Sequence, residues 1–540
     1  MANNGSAFVW HPYLFALSMP LMLYAQNVQE ISARGIVWPT ICVICGVWIS
    51  KRILKGLFRL DDERAAILVS FFVMIFFCYG HFLNGLKAIL NTLGVIDLGG
   101  IRLTRWPYVW PVWVIFAFAV GVWLLRMKPP LVQRMTKPLN ATSAFLVATN
   151  VAVIAFNLIE GAAVLRAPQT ASPITQGGSE ASATVTQRIG NKHDLPDVYH
   201  IYLDGYGSEE TLKRVYGFDN TSFYDFLNRK GFYLAKESHS NYVHTILSIP
   251  STLNMTYLDF LAKPGGRRVE DERRLHLMRQ DNKEFHFFRS AGYAVYVIAA
   301  EGFSRLQPQS VGSQPSLFRR VETCGEDSST RFLSVMMENS ALCHWQWNLF
   351  APVIRDRHRC LLAKLAEIVR MPGPKFVYFH VLLPHPPFVL GSNGEPRAGH
   401  VLEFDGYVWE DREGYINQVK FINKEITKIL EEILKNGPPN PIVVLQGDHG
   451  PQSYGMADYV ALKPAALKER TGILNAYLVP DDVKTKLYPS ITPVNSFRLI
   501  LKHCFNADYG LLEDKTYAYW LRWFEKYIDI TDTCTATTEQ

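Results

Sequence analysis

The chain has 540 residues, of which 48% are hydrophobic and 19% are charged, and its net charge at pH 7 is +6. This small charge gives no electrostatic footprint of a nucleic-acid-binding protein. The average hides two unlike parts, because residues 1–166 hold long uncharged apolar runs whereas residues 167–540 have the composition of a water-soluble protein.

Five apolar runs in the first part are long enough to span a bilayer, which needs about 20 apolar residues. Tryptophan and tyrosine gather at the ends of these runs, as in the interfacial belts of membrane proteins. Buried helices of a soluble protein rarely give five such runs in succession, so we predict a five-helix transmembrane domain over residues 1–165. The first run lacks a charged leader and a cleavage site, which indicates an anchor. The predicted spans are 8–26, 34–50, 65–85, 108–125 and 140–163.

The loops between these runs predict the orientation of the chain. Lysine and arginine are dense in residues 51–64 and again in residues 126–137, so both loops should be cytoplasmic. Alternation of the helices then places the amino terminus inside and everything after the fifth helix outside.

Residues 166–196 are rich in Ser, Thr, Ala and Gln and keep no apolar period, which predicts a flexible tether. The soluble domain should then begin with a strand at residues 198–203. Helical patterns alternate with short apolar, β-branched runs through the remaining chain, which predicts a mostly parallel sheet with helices on both faces. The tail 531–540 is expected to be loose. The other predicted elements are helices at 221–230, 281–290, 357–370 and 413–435, and strands at 232–235, 293–299, 375–381 and 441–445.

Two of these apolar strands end in a carboxylate. Asp204 follows the first strand and is followed by glycine, and Asp448 with His449 lies between two glycines after the strand at 441–445. An Asp-Gly turn is the alternative interpretation of Asp204, and a solvated loop is the alternative interpretation of Asp448 and His449. Open α/β sheets, however, place their sites at the carboxyl ends of strands, and this oxygen and nitrogen ligand set suits zinc or manganese.

A hydroxyl-rich segment between the two strings contains Thr245 and Ser248. A hydroxyl is a weak nucleophile until a metal ion or a base activates it, so either residue is a candidate nucleophile. Thr245 is equally suited to capping the helix that follows, and one residue can do both.

Three motifs resemble those of the alkaline phosphatase/sulfatase superfamily, and in particular its membrane-anchored lipoteichoic acid synthases and lipid A phosphoethanolamine transferases. Residues 245–250 match the nucleophile segment of the phosphoethanolamine transferases, residues 447–450 match the metal-binding turn, and residues 383–386 match the later histidine motif. The resemblance covers residues 197–510.

The resemblance implies an extracytoplasmic α/β/α sulfatase-like catalytic domain over residues 197–540. Four residues would bind the divalent metal ion, and one of them, Thr245, would also be the catalytic nucleophile. His385 would contact the transferred group or protonate the leaving oxygen. Ser248 is the rival nucleophile, but Thr252 stands where the sulfatase pattern has arginine, which argues against it. The implied metal ligands are Asp204, Thr245, Asp448 and His449, and the implied substrate-binding residues are His385, His380 and Asn241.

The implied function is transfer of a phosphoethanolamine or phosphoglycerol group through a covalent phosphothreonine at a bacterial inner membrane. A membrane lipid would be the donor and an envelope glycan or lipid the acceptor, with zinc or manganese as cofactor and magnesium or calcium as alternatives. A sulfatase-type hydrolase or phosphodiesterase of envelope glycans is the alternative reading, and a non-catalytic membrane scaffold is another.

Five cysteines lie in the soluble part, so at least one remains unpaired if all bonds are intramolecular. We expect a disulfide between Cys324 and Cys343. The five cysteines are Cys324, Cys343, Cys360, Cys504 and Cys534.

Overall fold

The computed structural model describes most of the chain. The described residues are 8–28, 31–92, 97–98, 101–102, 106–166, 195–262, 269–299, 320–322, 324, 328–397, 409, 411–454, 459, 461–518 and 527–536. They fall into two compact units, one built on the amino-terminal helices and one on the later chain. The predicted tether lies almost entirely outside the described residues.

The first unit consists of long apolar helices. Helices are present at all five predicted positions, and their bounds are α1 His11–Asn27, α2 Val37–Leu57, α3 Asp62–Thr92, α4 Trp106–Leu125 and α5 Pro129–Arg166. Four of them contain stretches long and apolar enough to cross a membrane. Helix α1 has only 17 residues and is not among those four, so the first predicted span, at 8–26, is not confirmed.

A stretch of the later chain also belongs to the first unit. Residues 326–350 group with the amino-terminal helices, and they contain helix α11 Ser328–Glu338. No sequence pattern predicts this arrangement, because an apolar helix face does not reveal its partner.

The second unit is built around a seven-stranded sheet in the described residues. The strand order is β4-β9-β8-β3-β7-β5-β6. The strands are β3 Val198–Leu203, β4 Tyr233–Leu234, β5 Ala294–Ala299, β6 Arg320–Glu322, β7 Lys375–Val381, β8 Ile442–Gly447 and β9 Asn475–Leu478. Short antiparallel pairs lie elsewhere, β1 Asp97–Leu98 with β2 Ile101–Arg102 and β10 Tyr517–Ala518 with β11 Ile528–Asp529.

This sheet is mixed. Strand β3 pairs in parallel with both β7 and β8, and β5 pairs in parallel with β6 and β7. Strand β9 runs antiparallel to β8, and β4 runs antiparallel to β9. A local hydrophobic pattern does not encode the direction in which β9 runs beside β8.

Helices connect and flank these strands. They are α6 Glu209–Arg214, α7 Thr221–Arg229, α8 Thr245–Leu253, α9 Val269–Gln280, α10 Lys283–Ser290, α12 Gln346–Val369, α13 Arg412–Asn436, α14 Pro464–Thr471, α15 Asp481–Lys484, α16 Pro493–Phe505 and α17 Thr531–Thr535. Strands β3, β7 and β8 are buried along their whole length, which is why they read as continuous apolar runs.

Two expectations from the sequence are wrong. Cys324 forms its disulfide with Cys360, and the side chain of Cys343 is buried in a cluster with Tyr79 and Val109. The tail is also ordered as far as α17, where Cys534 packs in a cluster that includes Leu467 of α14. Both results depend on distant parts of the chain that sequence spacing does not bring together.

Candidate functional site

The carboxyl ends of β3, β7 and β8 meet at one edge of the sheet. In the strand register Tyr202 is opposite His380, and Leu203 is opposite Gly447. Asp204 and Asp448 are the next residues of their strands, so their side chains emerge side by side next to His380. This is the position at which α/β sheets place their ligands.

The two oxygens of Asp204 have different surroundings. Oδ2 accepts a hydrogen bond from His380 Nε2 at 3.1 Å and one from Thr245 Oγ1 at 3.4 Å. Oδ1 is buried and has no hydrogen-bond partner among the described residues. The carboxylate is therefore held by one oxygen while the other is available to a ligand.

The two carboxylate oxygens of Asp448 also have different surroundings. Its Oδ1 accepts the main-chain N–H groups of Gly205 at 3.0 Å and of His449 at 2.9 Å. Its Oδ2 is buried and finds no hydrogen-bond partner in the part of the chain that the structure describes. A buried carboxylate oxygen without a partner is rare and costly in a native protein, so two in one cluster indicate a missing positive ligand.

The tight turn after β3 shapes this edge. Gly205 has a φ of +73°, and a Cβ there would approach a ring carbon of Trp409 to 2.6 Å. A larger residue would disturb the N–H group that orients Asp448.

His449 presents a lone pair to the cluster. Its Nδ1–H donates to the carbonyl of Gly450 at 2.9 Å, which leaves Nε2 as the acceptor nitrogen. This nitrogen lies 3.1 Å from Thr245 Oγ1 and 3.6 Å from both Asp204 Oδ1 and Asp448 Oδ2.

Thr245 is the first residue of helix α8, whose preceding residue His244 has extended backbone angles. The hydroxyl consequently lies at a helix amino terminus, where unpaired N–H groups and the helix dipole favour an anion. Thr245 thus combines contact to two candidate metal ligands with a setting that accepts negative charge.

These residues fit a divalent cation. Asp204 Oδ1, Asp448 Oδ2 and Thr245 Oγ1 all lie within 3.6 Å of His449 Nε2, and the two carboxylate oxygens have no hydrogen-bond partner among the described residues. The ligand atoms of Asp204, His385 and His449 also lie within 4.8 Å of one another, as do those of Asp204, His380 and Asp448. A donor set of oxygens and imidazole nitrogens is suited to zinc or manganese.

The pKa shifts of Asp204, Asp448 and His449 follow from their burial and from the charges around them. Burial acts to raise the pKa of Asp204, but the neighbouring His385, the hydrogen bond from His380 and the adjacent His449 together outweigh burial, so the pKa is lowered. Burial and the neighbouring Asp204 carboxylate raise the pKa of Asp448 to about 6. Burial, followed by the nearby Arg470 charge, lowers the pKa of His449 well below its usual value, so its ring is neutral.

His385 lies at the open side of the cluster. Its side chain is 31% exposed, and its Nε2 is 4.0 Å from Asp204 Oδ1. Its ring makes an edge contact with the ring of Trp409, with centroids 4.9 Å apart. It is the cluster histidine best placed to exchange a proton with solvent or with a bound substrate.

Arg470 also belongs to the site, and it is not among the residues predicted from the sequence. Its Nε donates to the carbonyl of Val243 at 2.7 Å, and its Nη1 donates to that of Gly450 at 3.0 Å. Nη2 lies 3.3 Å from His449 Nε2, and the guanidinium lies over the ring of Trp409. No short motif marks this arginine, because it lies in the last turn of helix α14 and reaches the cluster only through folding.

Two other candidates point elsewhere. Ser248 is buried, and its hydroxyl donates to the carbonyl of Tyr242 at 2.9 Å. The Asn241 amide donates to the carbonyl of Lys515 and accepts the N–H of Val494, so both of its polar ends hold the backbone. The structure therefore gathers Asp204, Thr245, His380, His385, Asp448 and His449, and gives Ser248 and Asn241 other partners.

No protein-family model and no curated protein sequence matches this chain. The chain is similar to the zinc complex of the periplasmic domain of EptC from Escherichia coli, with 10% identity, a TM-score of 0.41, and 63% of this chain and 93% of that chain covered. It is similar to the integral membrane lipooligosaccharide phosphoethanolamine transferase EptA from Neisseria meningitidis, with 13% identity, a TM-score of 0.32, and coverage of 92% and 95%. The phosphonate monoester hydrolase of Agrobacterium radiobacter gives 11% identity, a TM-score of 0.35, and coverage of 60% and 80%.

Proposed function

We propose that this chain is a membrane-anchored, metal-dependent enzyme of the alkaline phosphatase/sulfatase superfamily. It transfers a phospho-alcohol group from a membrane lipid to a cell-envelope acceptor through a covalent phosphothreonine at Thr245. The observation that carries the proposal is the position of Thr245 Oγ1, 3.1 Å from His449 Nε2 and 3.4 Å from Asp204 Oδ2, at a helix amino terminus.

Asp204, Asp448, His449 and Thr245 are the residues that would hold the cation. A bound divalent cation supplies positive charge that favours ionisation of a hydroxyl and neutralises the charge of a transferred phosphoryl group. The unpartnered oxygens of Asp204 and Asp448 support this assignment.

In the first half-reaction Thr245 Oγ1 forms a bond to phosphorus while the bond from phosphorus to the diacylglycerol oxygen breaks. The proton of Thr245 passes to water and the leaving oxygen takes a proton from His385, so the proton count balances. The N–H groups at the start of α8 face the charge that builds up at the phosphoryl oxygens. His385 is the partly exposed histidine that delivers the proton to the leaving oxygen.

In the second half-reaction an acceptor hydroxyl forms a bond to the same phosphorus, and the bond to Thr245 Oγ1 breaks. His385 accepts the proton of the acceptor hydroxyl, and the threonine hydroxyl is restored. If water takes the place of the acceptor, the same site acts as a hydrolase. The chemistry of the site alone therefore does not decide between transfer and hydrolysis.

The surroundings of Ser248 support Thr245 as the nucleophile. The Ser248 hydroxyl donates into the interior, and Thr252 donates to the carbonyl of Ser248 within the same helix. An arginine at position 252, as in the sulfatase pattern, would have to enter a fully buried part of α8. The chain therefore lacks the local arrangement of a formylglycine site.

The long apolar helices support a lipid donor, because they keep the chain in the same membrane as its substrate. Transfer requires that water stay away from the phosphothreonine until the acceptor arrives.

The test is a labelling experiment on the full chain in detergent, with phosphatidylethanolamine that carries an isotopic label in its headgroup. We expect the label on the peptide that contains Thr245, and its transfer on addition of an envelope lipid acceptor. Thr245→Ala should abolish the labelling and Ser248→Ala should retain it. Label on Ser248, or turnover without any labelled peptide, would reject the covalent phosphothreonine. Rapid release of the label to water with no acceptor, or faster cleavage of an aryl sulfate, would instead assign a hydrolase.

A further inference from the structure

A short segment of the later chain is built into the membrane-helix unit. We infer that residues 328–349 form an interfacial element that lies in the outer leaflet of the bilayer, with apolar side chains against the lipid acyl chains. This inference concerns the contact of the chain with lipid, and it does not depend on the reaction that the enzyme catalyses.

The segment is packed as part of the helix bundle. Phe332 and Met336 of α11 lie in one buried cluster. The cluster also contains Leu23 of α1, Val28 just after α1, and Phe77 of α3. Further along, Cys343 is fully buried in a cluster with Tyr79, Leu83 and Val109 of the same unit. The segment therefore belongs to the bundle by core packing.

Main-chain hydrogen bonds join the segment to helix α3. The N–H of Ala341 donates to the carbonyl of Phe76 at 2.8 Å, and the N–H of Gly80 donates to the carbonyl of Asn339 at 3.2 Å. Gly80 permits this approach, because a Cβ at that position would lie 2.7 Å from the Cα of Asn339.

These bonds also explain how an irregular chain can lie at membrane depth. Lipid offers no hydrogen bonds, so non-helical backbone is tolerated there only when protein groups satisfy it. Both main-chain polar groups of Ala341 have hydrogen-bond partners. Its N–H donates to Phe76, and its carbonyl accepts a hydrogen bond from Trp110 Nε1 at 3.2 Å. The ring of Trp110 also packs edge-on against that of Trp345, with centroids 5.5 Å apart.

The contacts lie at one end of the bundle. Gly80 is 18 residues beyond Asp62 in α3, which is about 27 Å along the helix at 1.5 Å per residue. The hydrocarbon core is about 30 Å thick, so Gly80 lies near the boundary opposite the positively charged loop at 51–64. Val28 and Val109, at the end of α1 and the start of α4, lie on that same side.

The outward side chains of the segment continue the lipid-facing surface of the helices. Leu333, Leu342 and Leu349 are 36%, 41% and 60% exposed. On the membrane helices, Phe82 and Val112 lie two residues along the chain from Gly80 and Trp110, and they are 40% and 64% exposed. An exposed apolar surface that runs on from lipid-facing helices, with tryptophans beside it, fits the interfacial region of a bilayer.

Spin labels on the full-length protein test this inference. Leu342→Cys and Leu349→Cys place labels on the segment, and Leu434→Cys and Leu511→Cys place matched labels on exposed leucines of the second unit. The background carries Cys42→Ser, Cys45→Ser, Cys78→Ala and Cys504→Ser, which remove the accessible free thiols. The protein is reconstituted in vesicles of phosphatidylethanolamine and phosphatidylglycerol.

The readout is the collision rate of each label with oxygen, which dissolves in hydrocarbon, relative to that with a water-soluble nickel chelate. We expect this ratio to be about threefold or more higher at 342 and 349 than at 434 and 511, because the reagents partition oppositely between hydrocarbon and water. Equal ratios at all four positions would overturn the inference. Exclusion of both reagents at 342 and 349 with spin–spin broadening would also overturn it, because a second copy of the chain would then cover the segment.

Discussion

Arg470 Nη2 lies 3.3 Å from His449 Nε2, and both side chains are buried. No carboxylate forms an ion pair with this guanidinium among the described residues. Its other nitrogens are fixed by the carbonyls of Val243 and Gly450, so the positive charge is held beside the metal-binding turn. A buried cation in this position opposes a charged His449 and attracts an anionic substrate.

This relationship predicts a role for Arg470 in binding the transferred group. Arg470→Lys keeps the charge but loses the fork of donors, so we expect kcat/KM to fall by about a hundredfold while bound metal is retained. Arg470→Met should be more severe in activity. Steady-state kinetics with metal analysis on the same preparations checks this, and metal loss in parallel with activity would assign Arg470 a purely structural role.

Substitution of two hydroxyl residues on one helix, Thr245 and Ser248, tests which of them is the nucleophile. Thr245→Ala should lower turnover by roughly a thousandfold or more without altering the melting temperature, because only this hydroxyl reaches the cluster. Ser248→Ala should keep substantial turnover, since its hydroxyl bonds to a backbone carbonyl. An inactive Ser248→Ala together with an active Thr245→Ala would falsify the assignment of Thr245.

Metal binding should depend on the free carboxylate oxygen of Asp448. Asp448→Asn retains an acceptor for the N–H groups of Gly205 and His449 but replaces the unpartnered oxygen, so we expect metal affinity to fall by about a hundredfold or more. His449→Ala should do the same. Elemental analysis after dialysis gives the readout, with the surface variant Asp481→Asn as control. A full equivalent of metal in Asp448→Asn would contradict this ligand set.

Stability at acidic pH should depend in part on His239. Burial, with a smaller effect of Lys468, lowers the pKa of His239 to about 4. The folded protein therefore binds this proton less readily than the unfolded chain, whose histidine titrates near 6.5. The stabilising contribution is present above pH 6.5 and is lost as the pH falls through about 4.

Melting temperatures between pH 7 and pH 4 measure this effect. His239→Gln should lose less stability over that range than the unmodified chain, and a change at the exposed His503 should leave the slope unaltered. Parallel curves for His239→Gln and the unmodified chain would show that His239 does not contribute.

The disulfide offers a further test of the fold. Peptide mapping without reductant should recover Cys324 linked to Cys360, which are 36 residues apart. Cys360→Ser should destabilise the protein by roughly 3 kcal/mol, because the unfolded chain then loses a loop constraint. Cys504→Ser is the matched control. A peptide linking Cys324 to Cys343 would show that the packing of Cys343 against Tyr79 is not formed.

Local pattern determined much of the sheet. The predicted strand at 375–381 coincides with β7 Lys375–Val381, and the predicted helix at 413–435 differs by one residue at each end from α13 Arg412–Asn436. Both have a strong apolar period and clear boundaries, so neighbouring residues decide them. The positions of Asp204 and Asp448 at strand ends follow from the same signal.

Only the tertiary structure decided the rest. The placement of Arg470 against His449, the pairing of Cys324 with Cys360, and the inclusion of residues 326–350 in the helical unit join parts of the chain that are far apart in sequence. A local period fixes which face of an element is apolar and leaves open which partner covers it. The partner is chosen by packing and by the hydrogen bonds of the folded chain as a whole, and these contacts arise only after the strands and helices have assembled.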